Sequence, residues 1–338
     1  MQMRKILISL VLLFVCSYCV GQDHLYSQFF NSPIYLNPAL NGQFEGKVRL
    51  SAIYRNQYTT VPGNLQYISA AVDYNVPKFG GGFGLLFTSS NEGMAYLKNN
   101  SLMGAYSYSV GSQDYVLSFG LQAGAVNRRI DESRLVFGDQ IDPTTGITGL
   151  PTSADAFPFN NKYYFDAGAG INLVKGNFMV GVAGHHLNRP DYSFTATPVK
   201  VPIRYTGHVS YRLDLNSNDN LYESEKSYLI PSVVFYKQAS AYNYTVGMQF
   251  KRRSVNAGLW YRGGRDGANA FVLSFIFDIF TGDNSSEKLR LGISHDISRG
   301  VNYGGSSGST EGSVVYEIPG AGDGNLKFNG ARRCYEFY

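Results

Sequence analysis

Few residues in this chain are spaced for chemistry. His185 and His186 are adjacent, so on a strand, where successive side chains alternate, they face opposite ways and cannot share one metal ion. His24, His208 and His295 lie far apart along the sequence. Gly80–Gly84 has the glycine density of a phosphate loop but lacks the Lys-Ser/Thr such a loop needs, and Leu85 to Ser89 reads as strand. These glycines suit tight packing or curvature at a strand start. Gly263-Gly264-Arg265-Asp266-Gly267 reads as a hairpin loop. No Ser/His/Asp constellation assembles, so no catalytic residue, cofactor or metal site is expected.

Two features carry more weight. Asp139 and Asp142 flank Ile141 in the longest loop, near Asp131 and Glu132, where they can bind calcium or receive a basic partner. Internal pairing with Arg128, Arg129 and Arg134 is the preferred reading, because acids and bases are equally abundant there. The second is Gln22–Gly46, a turn-rich stretch holding Phe29, Phe30, Pro33, Ile34, Tyr35, Leu36, Asn37 and Pro38. It is too apolar to be left in water and is expected to pack into a lumen or across a periplasmic mouth. A structural plug is preferred over a partner-docking element.

The elements that must position these residues alternate strictly. Tyr115, Leu117, Phe119, Leu121, Ala123 and Ala125 point one way, and Ser118, Gly120, Gln122 and Gly124 the other. Such segments give one wall for lipid and one for a wet lumen, as outer-membrane strands do. Strands are expected near 47–55, 65–75, 81–89, 100–109, 114–126, 163–174, 177–187, 203–215, 228–238, 243–251, 254–262, 270–280, 288–297 and 312–318. That makes an antiparallel transmembrane β-barrel of about fourteen strands, with twelve or sixteen open if a hairpin is missed or merged. Short and long connections mostly alternate, except at Asn216–Ser227 and Ala239–Tyr242.

A soluble β-sandwich also alternates, but its inner face needs aliphatic bulk. Here Val255, Ala257, Leu259 and Tyr261 oppose Asn256, Gly258, Trp260 and Arg262, and Leu289, Leu291 and Ile293 oppose Arg290, Gly292, Ser294 and Asp296. The barrel is favoured. Arg204, Arg212, Asp214, Arg262, Arg290 and Asp296 are expected as lumen pairs rather than substrate ligands. Tyr106, Tyr108, Tyr163, Tyr205, Tyr211, Tyr228, Tyr236, Tyr244 and Tyr261 are expected at strand ends or on lipid faces, as interfacial girdles.

Met1 to Gly21 has basic Arg4 and Lys5, an apolar run from Ile6 to Val15 and a small residue before Gln22, and reads as a cleaved signal peptide. Cys16 and Cys19 suggest a lipoprotein signal, but Val15 and Tyr18 stand where a small residue is wanted. Losing Arg4 and Lys5 takes the formal charge from +4 to +2, which gives no support to a nucleic-acid partner. Two of the three cysteines leave with the leader, and Cys334 then has no intrachain disulfide partner. The 38 glycines, 26 tyrosines and 22 phenylalanines among 338 residues, with 16% charged, fit a β-rich membrane chain. The expected divisions are 1–21 leader, 22–46 plug or periplasmic segment, 47–318 barrel and 319–338 tail.

Several motifs, in order, carry a family resemblance. They are Gln28-Phe29-Phe30-Asn31-Ser32-Pro33-Ile34-Tyr35-Leu36-Asn37-Pro38-Ala39, Tyr54-Arg55-Asn56-Gln57-Tyr58, Gly80–Gly84, Phe137-Gly138-Asp139-Gln140-Ile141-Asp142, His186-Leu187-Asn188-Arg189-Pro190, Gly258-Leu259-Trp260-Tyr261-Arg262 and a late Cys334. The chain resembles the PorP/SprF family of the type IX secretion system. It departs at the C-terminus, where Thr310-Glu311-Gly312 and Cys334-Tyr335 stand for a His-Glu pair and a Cys-Pro end. The resemblance implies a non-enzymatic barrel in the outer membrane of a Gram-negative bacterium. Its partners would be outer-membrane lipid, other secretion or gliding proteins, and a secreted cargo such as a gliding adhesin. A porin or gated transporter for small solutes is the alternative.

Overall fold

Alternation over ten to fifteen residues leaves each segment with an apolar face and unpaired backbone groups on both edges, and inside a bilayer only ring closure satisfies both. The computed structural model closes that ring. It describes residues 23–59, 63, 65–76, 80–93, 96–154, 160–216, 226–265, 269–281, 287–299, 308–319 and 334–337. The leader Met1–Gly21 with Cys16 and Cys19, and residues 320–333 of the tail, lie outside the described residues.

The barrel strands are β1 Val48–Gln57, β2 Leu65–Val76, β3 Gly81–Glu92, β4 Leu97–Gly111, β5 Tyr115–Arg129, β6 Asn161–Lys175 and β7 Phe178–His185 in the first half. In the second are β8 Arg204–Tyr211, β9 Ser227–Gln238, β10 Ala241–Arg252, β11 Val255–Gly264, β12 Asn269–Thr281, β13 Glu287–Arg299 and β14 Ser309–Ile318. Each pairs antiparallel with its neighbours in sequence, and β1 closes on β14 from Val48↔Ile318 to Gln57↔Ser309. The result is a closed fourteen-stranded barrel. No described helix is long and apolar enough to cross a membrane.

The two walls follow the expected register. On β5, Phe119 and Leu121 project outward, Leu121 at 61% exposure, while Ser118 and Gln122 are buried inside. On β11, Val255 and Leu259 face out and Asn256, Trp260 and Arg262 face in. Leu85, Leu102, Phe165, Leu259 and Ile293 belong to the outward apolar band.

The expected tyrosine girdle holds only in part. Tyr106, Tyr108, Tyr163, Tyr205 and Tyr211 are exposed on the outer wall, but Tyr228 and Tyr236 are buried in the lumen. On β9 they share a face with Ile230 and Val234, and Tyr236 and Val234 pack in one cluster with Phe29 and Leu36. Lumen positions here are apolar because protein, not water, lies against them.

The rim bearing the loops 130–160 and 186–203 is the outer one, since short turns face the periplasm. Within the first of these loops, Ile141–Asp142 and Gly146–Ile147 form a small hairpin of their own.

Candidate functional site: the occupied lumen

Residues 23–47 run the length of the lumen, from the outer rim to the start of β1. Every residue from Tyr26 to Phe44 is buried. Three tight helical turns shape this path: Phe29–Asn31, Pro33–Leu36 and Pro38–Leu40. Pro33 and Pro38 stand early in their turns, where a missing N–H costs nothing and a fixed φ favours the turn. Asn37 caps the last by accepting from Ala39 N at 2.9 Å. So compact a path needs room, and wall glycines supply it. A Cβ on Gly120 would stand 2.2 Å from Ala39 N, and one on Gly170 would stand 2.0 Å from Asn37 Oδ1.

Charged groups of the wall hold the segment. Glu311 accepts from Ser27 N at 2.6 Å and Gln28 N at 2.9 Å. Arg55 pairs with Glu311 and, at 2.9 Å, with Asp296, which also pairs with Arg262 at 2.8 Å. Two guanidinium groups thus face two carboxylates, all buried, a balance that low dielectric demands. Farther along, Asn31 Nδ2 donates to Ser313 Oγ at 2.9 Å, and Asn41 Nδ2 to Gly82 O at 2.9 Å. Gly42 N donates to Asp73, itself paired with Arg49 at 2.6 Å.

At the outer end, Asp23 lies 2.8 Å from His186 Nε2 and 3.1 Å from Arg204 Nη1. The other ring nitrogen of His186 is 2.8 Å from Asp166. Burial opposes charge on this imidazole, yet the Asp23 carboxylate and hydrogen bonds to Asp166 and Asp23 raise its pKa to about 9. Burial likewise opposes charge on Asp23, but His186 and Arg204 hold that carboxyl well below the usual range. Arg204 also donates to Tyr35 OH at 2.7 Å, and Tyr35 OH donates to His24 O at 2.7 Å. Above this contact is a cavity of about 200 Å³ whose lining includes Glu92, Arg128, Tyr164 and Tyr192.

The inner end is filled by the C-terminus. Cys334–Phe337 form a short 3₁₀ turn whose Cys334 and Phe337 are buried with Phe29, Phe30, Leu36, Leu40 and Trp260. Glu336 pairs with Arg212, and Gln249 donates to Phe337 O at 3.2 Å. Cys334 Sγ donates to Gln43 O at 3.7 Å.

Several expectations change here. His185 and His186 do not face opposite ways, because the strand ends at His185 and His186 takes a positive φ of 58°, so both line the outer cavity. Among the described residues, Asp139 and Asp142 form no ion pair with arginine. Asp139 accepts from Ser153 N at 2.6 Å and Thr152 Oγ1 at 2.9 Å, while Asp142 accepts from the N–H groups of Thr144 and Thr145 at 2.8 Å each. Both carboxylates tie turns of their own loop, whereas Arg134 takes Asp131 at 3.0 Å and Arg128 lies over Tyr192. Among the lumen charges, Arg204, Arg212, Arg262, Arg290 and Asp296 are paired inside. Asp214 is not: it is exposed and accepts from Asn216 N at 3.0 Å.

The sequence alone does not assign the roles of Ser27, Arg55, Asp73, His186 and Glu311. For Arg55, Asp73 and Glu311 the readable signal is an ionisable side chain at a lumen-facing strand position. Among the described residues, no cluster of three His, Cys, Asp or Glu side chains has metal-holding geometry.

Solved barrels resemble this one at low identity. TbuX, the toluene transporter of Ralstonia pickettii, is 10% identical over 86% of this chain and 93% of its own, with a TM-score of 0.48. The toluene transporter TodX of P. putida is 8% identical over 84% and 92%, with a TM-score of 0.44. CdiB from Acinetobacter baumannii is 9% identical over 80% and 60%, with a TM-score of 0.39. That likeness extends to barrel form and no further. No curated protein matches the sequence. The profile described as type IX secretion system membrane protein PorP/SprF matches residues 19–316, spanning the lumen segment and nearly all of the wall, and this outer-membrane barrel belongs to that family.

Proposed function

We propose that this chain is a closed, non-catalytic outer-membrane component of type IX secretion. It supports export or surface attachment of a specific cargo, such as a gliding adhesin, or holds the periplasmic machinery at the membrane. Residues 22–46 serve as its plug. The observation that carries this reading is the unbroken burial of Tyr26–Phe44 against both halves of the wall, with its charged anchors neutralised in pairs. A solute channel needs a wet path, and here Phe29, Phe30 and Leu36 of the segment pack in one buried cluster with Val234, Tyr236, Trp260 and Val272 of the wall.

Two measurements test it together. The full-length protein reconstituted in planar bilayers should show no steady open conductance, and cells lacking the gene should lose particular proteins from their surface as read by mass spectrometry. Steady small-ion conductance with an unchanged surface proteome would replace this reading with the porin alternative.

A further inference from the structure

The outer wall carries a hollow at the cell-surface rim that neither the barrel's closure nor its filled lumen explains. It measures about 650 Å³ and is lined by Lys98, Arg129, Arg134 and Asp131, with Tyr96 and Ile68 among its flanks. Lys98 and Arg129 are direct cross-strand partners on β4 and β5. Like charges directly opposite one another on a sheet face destabilise the pair. Neither has an ion-pair partner among the described residues, and the one carboxylate in the hollow, Asp131, is taken by Arg134 at 3.0 Å. Among the described residues, three cations therefore line the hollow with a single acid, an excess of positive charge that an anion would balance.

Position indicates which kind of anion. Lys98, Asn100 and Leu102 alternate with lumen-facing residues along β4, so all three project from the outer wall. Leu102 is 56% exposed, and with Phe87, Phe165 and Leu121 it marks the apolar band. Asn100, bonded to Ser89 Oγ at 2.8 Å, marks a polar step above it. Lys98 is thus roughly 13 Å along the strand beyond Leu102, at the depth of lipid headgroups rather than acyl chains or bulk water. Arg134 is held over the Tyr96 ring at 3.9 Å from its centroid, which fixes a third donor at that level.

We propose that this hollow binds the phosphate of an outer-leaflet lipid headgroup, with Lys98 and Arg129 as its principal ligands and Arg134 at its edge. A phosphate dianion relieves the repulsion between the opposed cations and accepts charge-assisted hydrogen bonds from both. The site would hold one lipid at a set place on the barrel's circumference, beside the loop that carries Asp139 and Asp142.

Native mass spectrometry of the detergent-purified full chain tests this, with bis-phosphorylated lipid A, the same lipid dephosphorylated, and inorganic phosphate as separate probes. Bound phosphorylated lipid is expected to fall about tenfold in the double variant Lys98→Gln, Arg129→Gln, as two charge-assisted contacts are lost on a partly exposed surface. Lys237→Gln, which removes an exposed outer-wall lysine of β9, should leave binding unchanged, and Lys98→Arg should retain it. Gel mobility before and after boiling verifies that each variant is a folded barrel. Equal binding by the double variant, equal binding of the dephosphorylated lipid, or displacement of the lipid by inorganic phosphate would each overturn the assignment.

Discussion

Ser27 Oγ donates to Asp296 Oδ1 at 2.6 Å while accepting from Arg55 Nη1 at 3.0 Å and Arg262 Nη2 at 2.7 Å. One hydroxyl has one proton and two lone pairs, so this serine uses its full hydrogen-bonding capacity inside the barrel. It joins a chain segment near the N-terminus to β1, β11 and β13 at one point. Filling of the lumen and closure of the ring are therefore energetically linked.

Ser27→Ala should leave two guanidinium protons and one carboxylate oxygen short of a partner, at about 1–3 kcal/mol. Glu311→Gln removes the charge facing Arg55 and should cost more, roughly 3–5 kcal/mol, because a buried cation loses half its compensation. Urea titration of the boiling-dependent gel shift checks both. Equal stability of Glu311→Gln and the parent would show that the network does not anchor the segment.

Gly120→Val and Gly170→Val should push the segment off the wall, since the nearest atoms to the added Cβ are Ala39 N and the capping Asn37 side chain. Protease should then cleave within residues 23–46 while the barrel still migrates as folded. Gly207→Ala is the control, with nothing within 4 Å of its added Cβ.

The outer latch should depend on pH in a defined direction. The pKa of His186 is raised from 6.5 in the unfolded chain to about 9, so its contribution is fully present below pH 6.5 and is lost as pH rises through 9. Asp23 is shifted the other way, so its contribution is lost only in acid. Hydrogen exchange at residues 23–27 should therefore accelerate, beyond the intrinsic rate, between pH 7 and about 10. His186→Gln should flatten that profile, and an unchanged slope in the variant would assign the effect elsewhere.

Leu121→Arg places a charge on the lipid face near mid-strand and should cost about 2–4 kcal/mol, whereas Leu121→Phe should be tolerated. Folding yield into lipid vesicles measures the difference. Similar yields for the two would contradict the register.

The barrel was legible because its information is local. Leu117, Phe119 and Leu121 against Ser118, Gly120 and Gln122 state a period of two, and period, strand length and turn residues together dictate which face meets lipid. The apolar, proline-containing stretch Phe29–Pro38 announced by composition alone that it must be buried. Its partners were not readable. Ser27 meets Asp296 across 269 residues, and Asp23 meets His186 across 163, distances over which no periodicity carries information. Tyrosine suits an interface, yet Tyr228 and Tyr236 stand at inward positions of β9, where Tyr236 packs in one cluster with Phe29 and Leu36 and the Arg212 guanidinium lies over the Tyr228 ring at 3.8 Å. His186 broke strand alternation through a positive φ that only the surrounding ion pairs make worthwhile. Alternation determined the wall of this protein. Closure of the ring decided what fills it, because only then do distant charges share one low-dielectric interior and have to find each other.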